Sequence, residues 1–161
     1  MSVLNDKYPG KRRLDNEVEM YSEHVYGYFD YLRQIGKGVK FGRNYFYPAM
    51  VAVCTDGRLL SCMDYSHRAI VDEYKRTIMH KEMEKRFGKI SSRNDFRELS
   101  KERFPIGQCA EQHAAQQLLL YQPLRHSHIN IQRDVFFSKA MRPSTGEVFP
   151  YCENCKALFD L

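Results

Sequence analysis

Apolar residues three and four positions apart dominate the first part of the chain and predict one long amphipathic helix. From Asn16 onward, the residues that share a helical face are Val18, Tyr21, Val25, Tyr28, Leu32 and Ile35. Such spacing aligns side chains in one stripe of an α-helix. Asn16 and Glu19 have the spacing of a capping box, and Gly36 predicts the end of the helix. Residues 1–40 are therefore expected to form an N-terminal helix after a loose start.

Two short apolar runs follow and predict a β-hairpin. In YPAMVAVCTDGRLLSCMDY, the runs flank Asp56 and Gly57, a dipeptide that accepts the positive φ angles of a two-residue turn. Both faces of the first run are apolar, so we expect a sheet that is covered on both sides. Residues 128–140 are rich in Ile, Val and Phe and predict a further strand. The segment MRPSTGEVFP after it is expected to be a loop.

Helical signals occupy the rest of the chain. We predict helices from Ser66 to near Gly88, within 91–104, from Gln108 to Tyr121, and within 152–160. The order of helix, two strands, helices, strand and helix is typical of an α/β protein. We therefore expect a single domain over residues 1–161, with a sheet of at least three strands and helices on both of its faces.

Composition narrows the class of protein. The 161 residues are 43% hydrophobic, which is enough for the core of one domain. No stretch approaches the roughly 18 apolar residues of a membrane-spanning helix, so no membrane partner is expected. The start, MSVLNDKYPGKRR, has no apolar run after its basic residues and is not a secretory signal. We expect a cytoplasmic protein, and leave open its export by a dedicated secretion system.

The net charge of +5 is concentrated in one segment. Residues 66–103 hold 11 basic and 7 acidic residues, so they form a basic helical insertion between the hairpin and the C-terminal part, 104–161. An excess of basic residues attracts phosphate groups. The alternative is a solvated helix face of mixed charge, because lysine and glutamate alternate there.

The five cysteines fall into two groups. Cys54 and Cys62 lie in the apolar hairpin, where buried free cysteine is common. Cys109 stands at a predicted helix start, and Cys152 and Cys155 form a C-x-x-C pair. Three thiolates supply three corners of a zinc tetrahedron, with water in the fourth corner of a catalytic site and a protein ligand in that of a structural site. Zn²⁺ is therefore the expected cofactor.

Two residues near Cys109 decide between these kinds of site. Glu111 lies in the first helical turn, where a carboxylate can act as general base and then general acid beside a metal. Its alternative role is a favourable charge at the helix N-terminus. His113 follows Cys109 by four residues and so lies on the same helix side. A closed Cys₃His site, supporting a non-catalytic interaction module, is thus the alternative to an enzyme.

The order of these motifs resembles a known superfamily. CAE opens a helix after a β-hairpin, and across one strand C-x-x-C opens the next helix. Together they resemble the zinc-dependent cytidine deaminase-like superfamily, whose signature is His or Cys, Ala or Val, Glu, and later Pro-Cys-x-x-Cys. The resemblance covers about residues 45–161. In this chain Tyr151 stands between Pro150 and the first paired cysteine.

The resemblance implies a fold and a site. The fold would have three layers around a mixed sheet, truncated at its C-terminus, with a homo-oligomer or partner chain covering the sheet edge. Cys109, Cys152 and Cys155 would be the zinc ligands, and Glu111 would be the proton shuttle. Asn44 is the candidate for a substrate-binding residue.

The implied function is hydrolytic deamination of a nucleobase, with cytosine to uracil favoured over adenine to hypoxanthine. The substrate would be a nucleoside or a nucleic acid, and the basic insertion favours a macromolecular substrate of a toxin-type or editing-type deaminase. Lys139 and Arg142 would border the pocket as candidate phosphate contacts. A catalytically silent deaminase fold used for assembly is a further alternative.

Overall fold

The computed structural model describes residues 11–37, 40–41, 44–45, 49–56, 61–67, 77–121 and 129–161. Its helices are α1 (Lys11–Gln34), α2 (Ile78–Phe87), α3 (Asp95–Glu98), α4 (Ala110–Tyr121) and α5 (Glu153–Phe159). Its strands are β1 (Lys40–Phe41), β2 (Asn44–Tyr45), β3 (Val51–Thr55), β4 (Ser61–Tyr65), β5 (Phe136–Phe137), β6 (Ala140–Met141) and β7 (Val148–Phe149). None of the helices in these ranges combines the length and the apolarity needed to span a bilayer.

One sheet organises the described part of the chain. Its strand order is β4-β3-β6-β7, and β5 also pairs with β3. The expectation of an α/β protein with at least three strands is confirmed. The expectation of a mixed sheet is wrong for the described strands, because every pairing among them is antiparallel. Strands β6 and β7 are joined by a short turn, and such a connection gives antiparallel neighbours.

The segment predicted as a loop contains the last hairpin. Val148 pairs with Met141 and Phe149 pairs with Ala140. The Arg142 backbone N–H donates to the Glu147 carbonyl at 2.8 Å, and Gly146 adopts a φ of 72° in the turn between them. That left-handed conformation suits glycine. The hairpin brings Phe149 and the residues after it to the end of the sheet.

The first hairpin differs from its prediction at the turn. Thr55 pairs with Ser61, and Cys54 pairs with Cys62. This register leaves five residues, 56–60, between the strands instead of the predicted two, and 57–60 lie outside the described residues. Register follows from which side chains must be buried. Here it places both cysteines in the core, which confirms their expected structural role.

Helices cover both faces of the sheet, as the apolar β3 run predicted. All five β3 residues are buried, and alternate residues of a strand face opposite sides. One side packs α1 against β3 and β6 through Leu14, Val18, Val25, Val51, Val53 and Met141. The other side packs α4, α2 and α5 over Cys54, Cys62 and Phe137 within a larger cluster. The sheet is therefore the middle of three layers.

The start of α1 departs from the sequence pattern, whereas the ends of α1 and α2 agree with it. Lys11 is already helical, so Asn16 and Glu19 lie inside α1 and the predicted capping box is wrong. The predicted end is confirmed, since α1 stops at Gln34 and Gly36 has a φ of 71°. Helix α2 ends at the predicted Gly88. The first half of that predicted helix, 68–76, lies outside the described residues.

Candidate metal centre

A tight turn delivers Cys109 to the start of α4. Gly107 has a φ of 84°, a conformation that favours glycine. Its backbone N–H donates to the Gln112 side-chain oxygen at 2.6 Å. The Cys109 carbonyl accepts from the His113 backbone N–H at 3.2 Å, so Cys109 directly precedes the first turn of α4.

The C-x-x-C pair is fixed by the start of α5. Cys152 is the N-cap of that helix, and its Sγ accepts from the Cys155 backbone N–H at 3.4 Å. The residue before it, Tyr151, is buried and donates its hydroxyl to the Phe137 carbonyl at 3.0 Å. Tyr151, which stands between Pro150 and Cys152, therefore anchors the paired cysteines to the sheet.

The three sulfur atoms converge from the two helix starts. The Sγ atoms of Cys109 and Cys152 are 3.1 Å apart, and all three Sγ atoms lie within 4.8 Å of one another. Zinc–thiolate bonds of about 2.3 Å in a tetrahedron separate sulfurs by about 3.8 Å. The Cys109–Cys152 separation is shorter than this value and the other pairs lie within 4.8 Å, so Cys109, Cys152 and Cys155 fit a zinc ion after small shifts.

The sulfurs share negative charge unequally. Hydrogen bonds with Cys109 and then Cys155 lower the pKa of Cys152 to about 3. The same bond to Cys152 raises the pKa of Cys109, and burial raises that of Cys155. These shifts favour Cys152 as the thiolate among the three, and a thiolate is the form that binds metal.

Glu111 brings a carboxyl group to the same place. Its side chain is only 3% exposed. Burial and then the charge of Cys152 raise its pKa to about 8. Together with Cys109 and Cys152, Glu111 lines a pocket of about 440 Å³. The structure thus brings the predicted carboxyl group and two of the predicted sulfurs to one cavity.

The pocket has the size and lining of a small-molecule site. Protein ligand pockets span roughly 300–1,000 Å³ and combine apolar walls with a few polar groups. Its other walls come from residues beside β3 and β4, from the segment that leads into α4, and from the β6–β7 hairpin with the start of α5. These residues are Ala49, Met50, Ser66, Glu102, Phe104, Gln108, Ala110, Ala140, Phe149, Pro150, Tyr151 and Glu153. Aromatic walls of this kind suit a flat ring.

Sequence reasoning missed the residue that ties one wall to the paired cysteines. Asn154, one of the two x residues of C-x-x-C, is fully buried. Its Oδ1 accepts from the Lys101 backbone N–H at 2.8 Å, and its Nδ2 donates to the Ser100 hydroxyl at 2.9 Å. These bonds fix the loop that carries Glu102 and Phe104 into the pocket. The only sequence signal for this role of Asn154 was that a polar residue lies in a short helix whose other residues are largely apolar and buried.

Gln112 is a second residue that the pattern did not single out. It accepts from the Gly107 backbone through Oε1, and its Nε2 donates to the Cys155 Sγ at 3.5 Å. The side chain is fully buried and so links the turn before α4 to the farther of the paired cysteines. Such partners orient ligands and tune them.

His113 belongs to a different cluster. Its ring stacks on that of His67, with centroids 3.5 Å apart and planes at 21°, and its Nε2 lies 2.7 Å from the His67 carbonyl oxygen. Polar atoms of Asp64 and both histidines lie within 4.8 Å of one another. Stacked rings direct their in-plane lone pairs alongside each other instead of towards one point, so we interpret this cluster as a hydrogen-bonded polar group. Among the described residues, no imidazole joins the three sulfurs.

The remaining candidates have separate outcomes. The backbone of Asn44 lies in the short strand β2, but its side chain lies outside the described residues, so its expected contact with substrate stays a prediction. The Arg142 guanidinium lies over the Phe149 ring, 4.7 Å from its centroid, and thus next to a pocket wall. Lys139 is not among the residues that line the pocket.

The chain was compared with protein-family models, curated proteins and solved structures, and none of them matches it.

Proposed function

We propose that this protein is a zinc-dependent hydrolase that removes the exocyclic amine of a nucleobase, with cytosine preferred over adenine. One observation carries the proposal: three sulfurs converge, and two of them, those of Cys109 and Cys152, line one ligand-sized pocket together with the buried carboxyl group of Glu111. A purely structural zinc site needs neither the pocket nor the carboxyl group. A perturbed acid beside a cluster of ligands in a cleft is a typical candidate for catalysis.

Cys109, Cys152 and Cys155 would hold the zinc ion. When bound, zinc supplies Lewis acidity, which lowers the pKa of a coordinated water to about 7. Residues of the chain orient the sulfur ligands and favour their ionised form. Gln112 orients the sulfur of Cys155, and the N-cap position of Cys152 favours its thiolate form.

Glu111 moves the protons of the reaction. It accepts one proton from the attacking water and delivers it to the ring nitrogen next to the amino-bearing carbon. The water oxygen forms a bond to that carbon. Glu111 then transfers the second water proton to the amine, the carbon–nitrogen bond breaks with its electron pair on nitrogen, and ammonia leaves. One water is consumed, the base gains a carbonyl, and no oxidant is needed.

The pocket walls position the ring for this transfer. Phe104 and Phe149 line the pocket and offer apolar surface to a flat base. Asn154 holds the loop of Phe104 in place through Lys101 and Ser100. The carboxyl group of Glu111 then acts in a site that excludes most water.

Replacement of the carboxyl group tests the proposal. We expect Glu111→Gln to keep the zinc and the fold but to lower ammonia release from cytidine or a cytosine-containing oligonucleotide by about 10²–10⁴-fold, the usual value of a general acid–base. Glu147→Gln is the matched control, because Glu147 is exposed and lines no part of the pocket. Full activity in Glu111→Gln, or no ammonia from any cytosine or adenine substrate with zinc-loaded wild type, would contradict it.

A further inference from the structure

A second cavity adjoins the cysteine pocket. It has a volume of about 360 Å³ and is lined by Arg93, Asn94, Phe96, Arg97, Pro105, Ile106 and Gln108. We call it the arginine pocket. Gln108 also lines the cysteine pocket, so the two cavities share a wall residue. The segment before α4 therefore forms part of the wall of both cavities.

The arginine pocket carries positive charge that the described part of the protein does not neutralise. Arg93 and Arg97 are both exposed, and neither forms an ion pair with a described residue. Asp95, between them in sequence, is engaged elsewhere: its carboxylate accepts the backbone N–H groups of Ser91 and Ser92 at 2.7 and 2.9 Å. By contrast, Arg86 is paired with Asp160 at 2.7 Å.

The floor of the arginine pocket is rigidly joined to the metal centre. Phe96 and Ile106 are buried, and the Ile106 backbone N–H donates to the Phe96 carbonyl at 2.8 Å. Only Gly107 and Gln108 separate Ile106 from Cys109, and the side chain of Gln112 holds the Gly107 turn. The backbone of the pocket floor thus leads directly to the start of α4, where Cys109 lies.

We propose that the arginine pocket binds the phosphodiester and sugar of the nucleotide that flanks the target base in a single-stranded nucleic acid. The inference rests on the proposed function and names its substrate class. Guanidinium groups match phosphate oxygens with two parallel hydrogen bonds. The cavity is nearly as large as the cysteine pocket. It can therefore hold a whole nucleotide and is larger than a single phosphate requires. Its apolar floor, formed by Phe96, Pro105 and Ile106, suits a sugar or a stacked base.

Binding and turnover are measured on the same variants. The key variant is the double change Arg93→Gln and Arg97→Gln. The control is Arg133→Gln, because Arg133 is exposed, pairs with Asp134 and lines neither pocket. Both variants are first checked for zinc content and unfolding midpoint, which we expect to match wild type.

The binding experiment uses fluorescent single-stranded RNA and DNA nonamers with one central cytosine, in a Glu111→Gln background that prevents turnover. We expect the double variant to bind about tenfold more weakly at low salt. Two lost phosphate contacts reduce the slope of log affinity against log salt by about 1.4. Arg133→Gln should bind like its parent. An unchanged slope in the double variant overturns the proposal, and the RNA and DNA arms show which strand is preferred.

The turnover experiment separates this inference from the proposed function. With a wild-type Glu111, the double variant should lose about tenfold in kcat/KM on the oligonucleotide and nothing on free cytidine. Equal losses of kcat/KM on cytidine 5′-monophosphate and on the oligonucleotide would show that the arginine pocket binds a single phosphate. That result would overturn the proposal that it binds a strand. Undiminished oligonucleotide turnover would overturn the arginine pocket and leave the deaminase intact. Arginine-dependent oligonucleotide binding without any deamination would support the pocket and overturn the proposed function.

Discussion

The Sγ atoms of Cys109 and Cys152 lie 3.1 Å apart although 43 residues separate them in the chain. One stands before α4 and the other caps α5, so two helix starts meet at one point. Helix N-termini favour negative charge. The start of α5 therefore favours a thiolate at Cys152, and the buried carboxyl group of Glu111 lines the same pocket.

The first prediction concerns metal content. Protein purified with zinc available should contain about one zinc ion per chain, because three thiol ligands suffice for a stable site. Replacement of Cys152 by serine should remove most of it, since this residue contributes the readiest thiolate. Elemental analysis of the dialysed protein measures the ratio.

The change His113→Ala is the discriminating control for this measurement. His113 is stacked on His67 and is not part of the sulfur group, so its loss should leave the zinc content unchanged. Zinc loss in His113→Ala, together with a nitrogen ligand in the zinc-edge absorption spectrum of wild type, would instead establish the closed Cys₃His site and its non-catalytic function.

The second prediction concerns thiol reactivity in metal-free protein. Because hydrogen bonds from Cys109 and Cys155 lower the pKa of Cys152, its labelling rate should stay flat between about pH 8 and pH 6. An ordinary thiol, with a pKa near 8.5, loses reactivity about tenfold per unit over that range. Cys54 is fully buried with a raised pKa and should not be labelled before unfolding. Mass spectrometry after a short pulse of iodoacetamide identifies the labelled residue, and preferential labelling of Cys54 would contradict the structure.

The third prediction concerns Asn154. Its replacement by alanine leaves the Lys101 N–H and the Ser100 hydroxyl without their side-chain partner, and lost bonds to buried groups cost about 1–3 kcal/mol. We expect that loss in urea unfolding, together with a raised KM, because the loop of Phe104 forms a pocket wall. Asn130→Ala is the control, since Asn130 caps an exposed turn. Equal effects of the two changes would argue against a positioning role for Asn154.

Much of this architecture follows from local pattern. The buried run of β3 could be predicted because side-chain periodicity indicates which face is covered. The stripe of α1 was predicted only in part, since Val18 and Val25 are buried but Tyr28 and Ile35 are exposed. The end of α1 at Gly36 could also be predicted from the sequence, because glycine tolerates the left-handed conformation that ends a helix. The cysteine spacing also predicted which three sulfurs to bring together.

Features that depend on contacts between distant parts of the chain could not be predicted in the same way. The dipeptide Asp56-Gly57 favours a two-residue turn locally, but the pairing of Cys54 with Cys62 sets the register of the hairpin. His113 shares a helix side with Cys109 in sequence spacing, yet the end of β4 supplies His67 as its neighbour. In both cases a tertiary contact outweighs a local preference.

The cluster around His113 links stability to pH. Burial, and then the proximity of His67, lower the pKa of His113 to about 4 from an ordinary value of 6.5. Asp64 also faces this ring: burial opposes its ionisation, but hydrogen bonds from His67, Tyr65 and Gln117 lower its pKa overall. Hydrogen bonding thus favours the charged form of the Asp64 carboxylate. The imidazole of His113, like Glu111 and Cys152, differs in protonation between the folded and unfolded states at mildly acidic pH.

The fourth prediction follows from the sign of that difference. Between pH 6.5 and about 4 the unfolded chain binds a proton on His113 and the folded chain does not, so the contribution of His113 to stability is complete above pH 6.5 and is lost with decreasing pH. At about pH 5 the loss should be on the order of 2 kcal/mol. Urea unfolding of wild type and of His113→Gln at about pH 7.5 and pH 5 measures it, because the variant should lack this part of the pH dependence whatever its absolute stability. His24→Gln, on the exposed face of α1, should retain it; identical pH dependence in all three proteins would show that His113 titrates normally in the fold.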